Sequence, residues 1–128
     1  MDLMQVIKAA LEDAGISEVF TSPPDGRAHP ERVVLSFGAP SRRTCYYDGD
    51  DMTPLRVTCL AVRYSEYEAM AAAQDCERII RRADLSSRDD SYRLVSVDTA
   101  EPRPLPRDES GRYVWAFDTE IEIITNHF

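Results

Sequence analysis

A chain of 128 residues with 43% hydrophobic and 30% charged content has the size and make-up of one globular domain, able to bury a core without disulfide or metal staples. Fifteen basic against twenty-three acidic side chains leave a formal charge of −8 at neutral pH. That balance argues against general nucleic-acid binding and against anionic membranes. No apolar run reaches the length of a membrane span. The acidic-amphipathic start MDLMQVIKAALEDAG lacks the basic-then-apolar pattern of a signal peptide, so the protein reads as cytosolic when made.

In chain order, Leu3, Met4, Ile7, Ala10, Leu11 and Ala14 recur at helical spacing. Asp2 is placed to cap that helix and Gly15 to end it. Val19–Thr21 reads as a short strand, stopped by Pro23-Pro24 and turned by Asp25-Gly26. Arg32–Phe37 (RVVLSF) has the β-branched content of a strand. Residues 38–54 form a long polar loop punctuated by Gly38, Pro40, Gly49 and Pro54, in which Thr44–Tyr47 could extend a hairpin that reverses near Asp48-Gly49.

Leu55–Tyr64 reads as a second long strand. Ser65 with Glu68 three residues on is a capping box that opens a helix, and Arg78, Arg81 and Arg82 complement the dipole at its far end. Met70, Ala73, Cys76, Ile80 and Ala83 mark its core face, and a run of alanines lets it lie close to a sheet. Tyr92–Val97 is a further strand. Pro102, Pro104 and Pro106 make residues 101–111 an extended linker, unable to join a central ladder. Tyr113–Thr125 is the last strand: Phe117, Thr119, Ile121 and Ile123 point to one side, Asp118, Glu120 and Glu122 to the other. The expected architecture is a single α+β domain over 1–128, a mostly antiparallel sheet of four to five strands with two helices on one face, in the order α-β-β-α-β-β.

Chemistry is hard to find. Asp48, Asp50 and Asp51 run into Met52 and Pro54, where a calcium loop would continue its alternating ligands. Cys45, Cys59 and Cys76 are widely spaced, and with only His29 and His127 beside them they do not form a zinc set. Cys59 and Cys76 read as buried reduced thiols. Glu120 and Glu122 share a strand face that looks solvated, so they read as structural or interface groups and not as an acid–base pair. There is no glycine-rich phosphate loop and no nucleophile elbow. Tyr46, Tyr47, Tyr64, Tyr67, Tyr92, Tyr113 and Trp115 could stack on RNA only beside a basic groove, which the charge balance denies. Fourteen of the fifteen cations are arginine, with Lys8 alone, a bias that fits base composition or interface use.

The segments LMQVIKAALEDAG at 3–15, LRVTCLAVRYSEYEAMAAAQDCERI at 55–79 and PLPRDESGRYVWAFDTEIEI at 104–123, in this order, carry a resemblance. The chain resembles the tail-terminator or minor capsid (tail completion) proteins of long-tailed bacteriophages, lambda-type. The resemblance implies a non-enzymatic virion protein of the tail and neck, made in the host cytoplasm, without metal or cofactor. It would form a ring, of six copies, on the end of the tail tube, stop tube growth and join tail to head. Its partners would be copies of itself, the tail-tube protein and a head-connector protein. From exposure, the interface is expected at Arg42, Arg43, Tyr46 and Tyr47 in the long loop and at Glu120 and Glu122 on the polar strand face. Alternatives are a head-closure or connector subunit of the same neck, and a non-viral accessory domain that binds a small ligand or partner.

Overall fold

The computed structural model describes residues 2–22, 24, 27–38, 44–45, 51–88, 91–108 and 110–125. Its elements are α1 (Leu3–Asp13), β1 (Val19–Phe20), β2 (Arg32–Phe37), β3 (Thr44–Cys45), β4 (Asp51–Arg63), α2 (Glu66–Arg82), β5 (Tyr92–Thr99), β6 (Arg103–Leu105) and β7 (Tyr113–Thr125). The α+β class is as expected, but the sheet has seven strands where four to five were expected. β1 falls within the short strand read at Val19–Thr21, and β3 within the possible hairpin extension at Thr44–Tyr47; β6, of three residues, was not foreseen and is too short to show a period.

The sheet runs β1-β2-β4-β7-β5, with β3 on the flank of β4 and β6 on the flank of β7. Only β1 and β2 pair in parallel. The last strand therefore lies inside the sheet, between β4 and β5. Its ladder with β4 is unbroken from Asp51 opposite Thr125 to Arg63 opposite Tyr113. Two thirteen-residue strands exceed the usual strand length, and at about 3.3 Å per residue the ladder spans about 40 Å.

Both helices pack on one face. Leu3, Met4, Val6, Ile7 and Leu11 of α1 and Ala73, Cys76 and Ile80 of α2 join Val33, Leu35, Val57, Cys59, Phe117, Ile121 and Ile123 in a single apolar cluster. Ala69, Ala73, Cys76 and Ile80, at intervals of four, three and four, are the buried residues of α2, so its small side chains face β4 and β7. The Ser65 hydroxyl accepts from the Glu68 N–H at 3.5 Å and caps α2 as its sequence foretold. At the end of α1, Gly15 adopts φ +97°, and the N–H groups of Gly15 and Ile16 reach the carbonyls of Glu12 and Leu11 at 3.0 Å each. That is a Schellman ending, which glycine alone enters freely.

Three local readings are corrected. Asp2 does not cap α1: its backbone (φ −105°, ψ 18°) leaves the extended region a cap needs. Its carboxylate takes hydrogen bonds from the Ser87 hydroxyl (2.9 Å) and the Arg88 N–H (3.0 Å), tying the start of α1 to the segment after α2. The loop drawn at 38–54 is shorter, because β4 begins at Asp51 and continues through Pro54. Among the described residues, no strand pairs with β4 at Pro54 on the β2–β3 side, past the reach of β3 (ending at Met52) and before that of β2 (starting at Val57), so its missing N–H interrupts no ladder bond among them. The linker at 101–111 contains β6, in which Pro104 stands opposite Trp115 on an outer flank.

Candidate assembly surfaces

The sheet face opposite the helices carries the charged residues of β4 and β7 in register. Arg56 stands opposite Glu120, and its Nη2 donates to Glu120 Oε1 at 2.9 Å. Hydrogen bonding to Glu120, with that carboxylate's charge, raises the Arg56 guanidinium further above its already high range. One step along, Thr58 Oγ1 donates to Asp118 Oδ1 at 2.8 Å, and Arg103 Nη2 lies 3.5 Å from Asp118 Oδ2. Arg56, Asp98, Thr99, Ala100, Asp118 and Glu120 line a shallow depression of about 220 Å³. Its acids on β7 are each paired with an arginine, so the arrangement is a neutralised surface and not a poised acid–base pair.

Glu120 is exposed, as the alternation implies, whereas Asp118 and Glu122 are half-buried. Glu122 stands opposite Pro54 on one side and Ser96 on the other. The pairing of Glu120 with Arg56 spans 64 residues of chain, and nothing in the local sequence signals it. Arg42, Arg43, Tyr46 and Tyr47 lie outside the described residues. So do Asp48 and Asp50, while the backbone of Asp51 belongs to β4. Among the described residues no group of three His, Cys, Asp or Glu side chains gathers as a metal set. No helix among them is long and apolar enough to cross a membrane.

The turn between β6 and β7 is built on Asp108. Its carboxylate accepts from the N–H groups of Ser110 (3.0 Å) and Arg112 (2.8 Å), and its backbone exchanges hydrogen bonds with Arg112 and Gly111. Arg112 Nε stands 2.9 Å from Asp108 Oδ2 but off hydrogen-bonding angle, so this contact is ionic. Arg32 of β2 approaches the same oxygen at 3.9 Å. Burial works to raise the Asp108 carboxyl, yet the Arg112 and Ser110 N–H groups and the two guanidinium charges outweigh it and hold it below its ordinary value. Next to it, the Arg107 guanidinium lies 4.2 Å from the centroid of the Tyr113 ring.

Among the described residues, four large apolar side chains stand exposed: Tyr64 (61%) and Tyr67 (73%) at the start of α2, Phe37 (50%) at the end of β2 and Val95 (44%) on β5. Tyr64 and Tyr67 therefore stand outside the core. Cys59 and Cys76 are free and buried, as expected, and meet between β4 and α2. A hydrogen bond with Cys76, and burial, push the Cys59 thiol well up, away from reactive thiolate.

No curated protein matches the chain. A chain from the virion of a native gene transfer agent particle is similar in fold, with a TM-score of 0.69 at 16% identity over 95% of this chain and 91% of that one. A family model described as bacteriophage tail terminator protein matches residues 10–125, which run from the last turn of α1 to the end of β7. With its sheet, its helical layer and its neutralised charged face, the chain belongs to the tail terminator family, among the structural proteins of phage virions.

Proposed function

We propose that this chain assembles as a ring of six copies on the end of a phage tail tube, halts tube growth and presents the surface that joins tail to head. The observation that carries this reading is the family match over residues 10–125. The surface chemistry supports it: Asp118 and Glu120 of the β7 face are held by arginines, and aromatic side chains stand out in water where a docking protein would use them. Its partners on this reading are copies of itself, the tail-tube protein and a head-connector protein, met in the host cytoplasm during assembly. Contacts are assigned to exposed Glu120, to Glu122, and to Arg42, Arg43, Tyr46 and Tyr47 in the segment ahead of β4. A net charge of −8 keeps free copies apart until a tube end gathers them. No step of bond making or breaking belongs to this role.

The test is mass photometry over a concentration series, alone and with purified tail-tube protein, with electron microscopy of the tubes. The expected result is a monomer in isolation, rings on tube ends, and tubes that no longer lengthen. A protein that neither self-associates nor binds tube ends would remove the proposal.

A further inference from the structure

The junction between sheet and helices holds a chemical pair that assembly does not call on. Cys59 lies in β4, opposite Leu35 on one side and Phe117 on the other, and Cys76 lies on the buried stripe of α2. They are 1% and 0% exposed, and both belong to the one apolar cluster. Both thiols are free, and they are hydrogen-bonded to each other across the two layers. As packing alone, two small thiols need not face one another, since unlinked apolar side chains would fill the same space.

The junction suits a covalent bond between them. Of the residues that α2 buries, Ala69, Ala73 and Cys76 are short and Ile80 alone is long. The helix therefore seats low, and Cα atoms of α2 and β4 come within 8 Å of each other. A disulfide needs Cα atoms about 4.4–6.8 Å apart and side chains that face one another. The facing thiols meet the second requirement, and a helix seated this low is a small shift from the first.

We propose that Cys59 and Cys76 form a redox latch, closing in an oxidising medium to a disulfide that fastens α2 to β4 and staying as thiols in a reducing one. The oxidant is a small disulfide such as oxidised glutathione. One cysteine, as thiolate, attacks a sulfur of that disulfide, which forms a mixed disulfide and releases one small thiol. The second cysteine, deprotonated in turn, attacks the protein sulfur of the mixed disulfide and releases the other small thiol. The two cysteines give up two electrons and two protons, and the small disulfide takes them up as two thiols. Both sulfurs are sealed while α2 is seated, so the first attack waits for the helix to lift. Once formed, the bond prevents that lifting and closes the segment between the cysteines into a loop, which restricts the unfolded chain. The latch rests on the core alone and stands apart from the ring reading.

The experiment uses the full chain carrying Cys45→Ser, so that Cys59 and Cys76 supply all its thiols. It is incubated with oxidised glutathione, in buffer and in urea below the unfolding transition, then blocked at free thiols and digested with trypsin. The expected product joins the tryptic peptides 57–63 and 64–78 and appears faster in urea. The linked protein is expected to melt about 5–10 °C higher than the reduced one, a gain that dithiothreitol reverses. Cys76→Ala in the same background is expected to stop at a glutathione adduct on Cys59. Peptides that stay unlinked, or a linked protein that melts no higher than the reduced one, would overturn the latch.

Discussion

Asp108 is the residue whose ionisation the fold most directly exploits. Two backbone N–H groups and two guanidinium groups converge on one carboxylate at the turn that leads into the central strand. Because its folded-state value is depressed below the unfolded value of about 3.9, the stabilisation is fully present above about pH 4. It is lost as pH falls through the lower folded value. Asp108→Asn keeps an oxygen for the backbone donors and removes the charge. It is expected to cost about 1 kcal/mol at pH 7, by weakening charge-assisted bonds, and nothing once both forms are neutral at lower pH. Urea melts of both proteins from pH 3 to 7 should therefore converge at the acid end; parallel curves would refute the assignment. The sequence placed Asp108 only within the extended linker at 101–111, since its partner Arg32 is 76 positions distant. Asp2 misled for a similar reason: its hydrogen-bond partners are 85 and 86 residues away, and local capping rules cannot see them.

Among elements, α2 was the most readable, because cap, dipole charges and apolar spacing all agree along one stretch of seventeen residues. What the spacing left open is how close the helix lies. Ala73 is fully buried against the sheet, whereas Ala71 is half-exposed. Ala73→Leu is expected to destabilise the protein by about 1–3 kcal/mol through overpacking, and Ala71→Leu to be near neutral. Thermal unfolding of the two variants measures the contrast, and equal shifts would mean that the helix does not seat as described. β4 and β6 were harder to read because proline signals a break in any local reading. Pro54 and Pro104 are tolerated by vacancies in neighbouring strands, a property of the sheet and not of the segment. The same holds for exposed positions at the boundary of the sheet. Val95 and Phe37 look like ordinary strand residues until the strand order puts both at the rim.

For the whole molecule, the decisive fact is that β7 is flanked by β4 along its full length and by β5 and β6 on its other side. Period-2 alternation identified it as a strand with one buried face, and that face, Phe117 to Ile123, supplies the middle of the core. Its central place was not legible, since alternation fixes which way side chains point and says nothing of which strands flank them. A chain shortened to end at Arg112 would lose the floor beneath α2 and leave β4 and β5 unpaired with each other. Far-ultraviolet circular dichroism and hydrogen exchange are expected to report an unfolded ensemble for that truncation; a cooperative melt would contradict the topology.

Synthesis order turns that topology into a form of quality control. The ribosome emits α1, β1 to β6 and α2 before the strand that unites them, so β4 and β5 are bridged only when Ile121 and Ile123 have emerged. A polypeptide that stops short of β7 lacks the ladders that hold β4 and β5 in one sheet. Assembly of the sheet is thereby completed by the most C-terminal strand among the described residues.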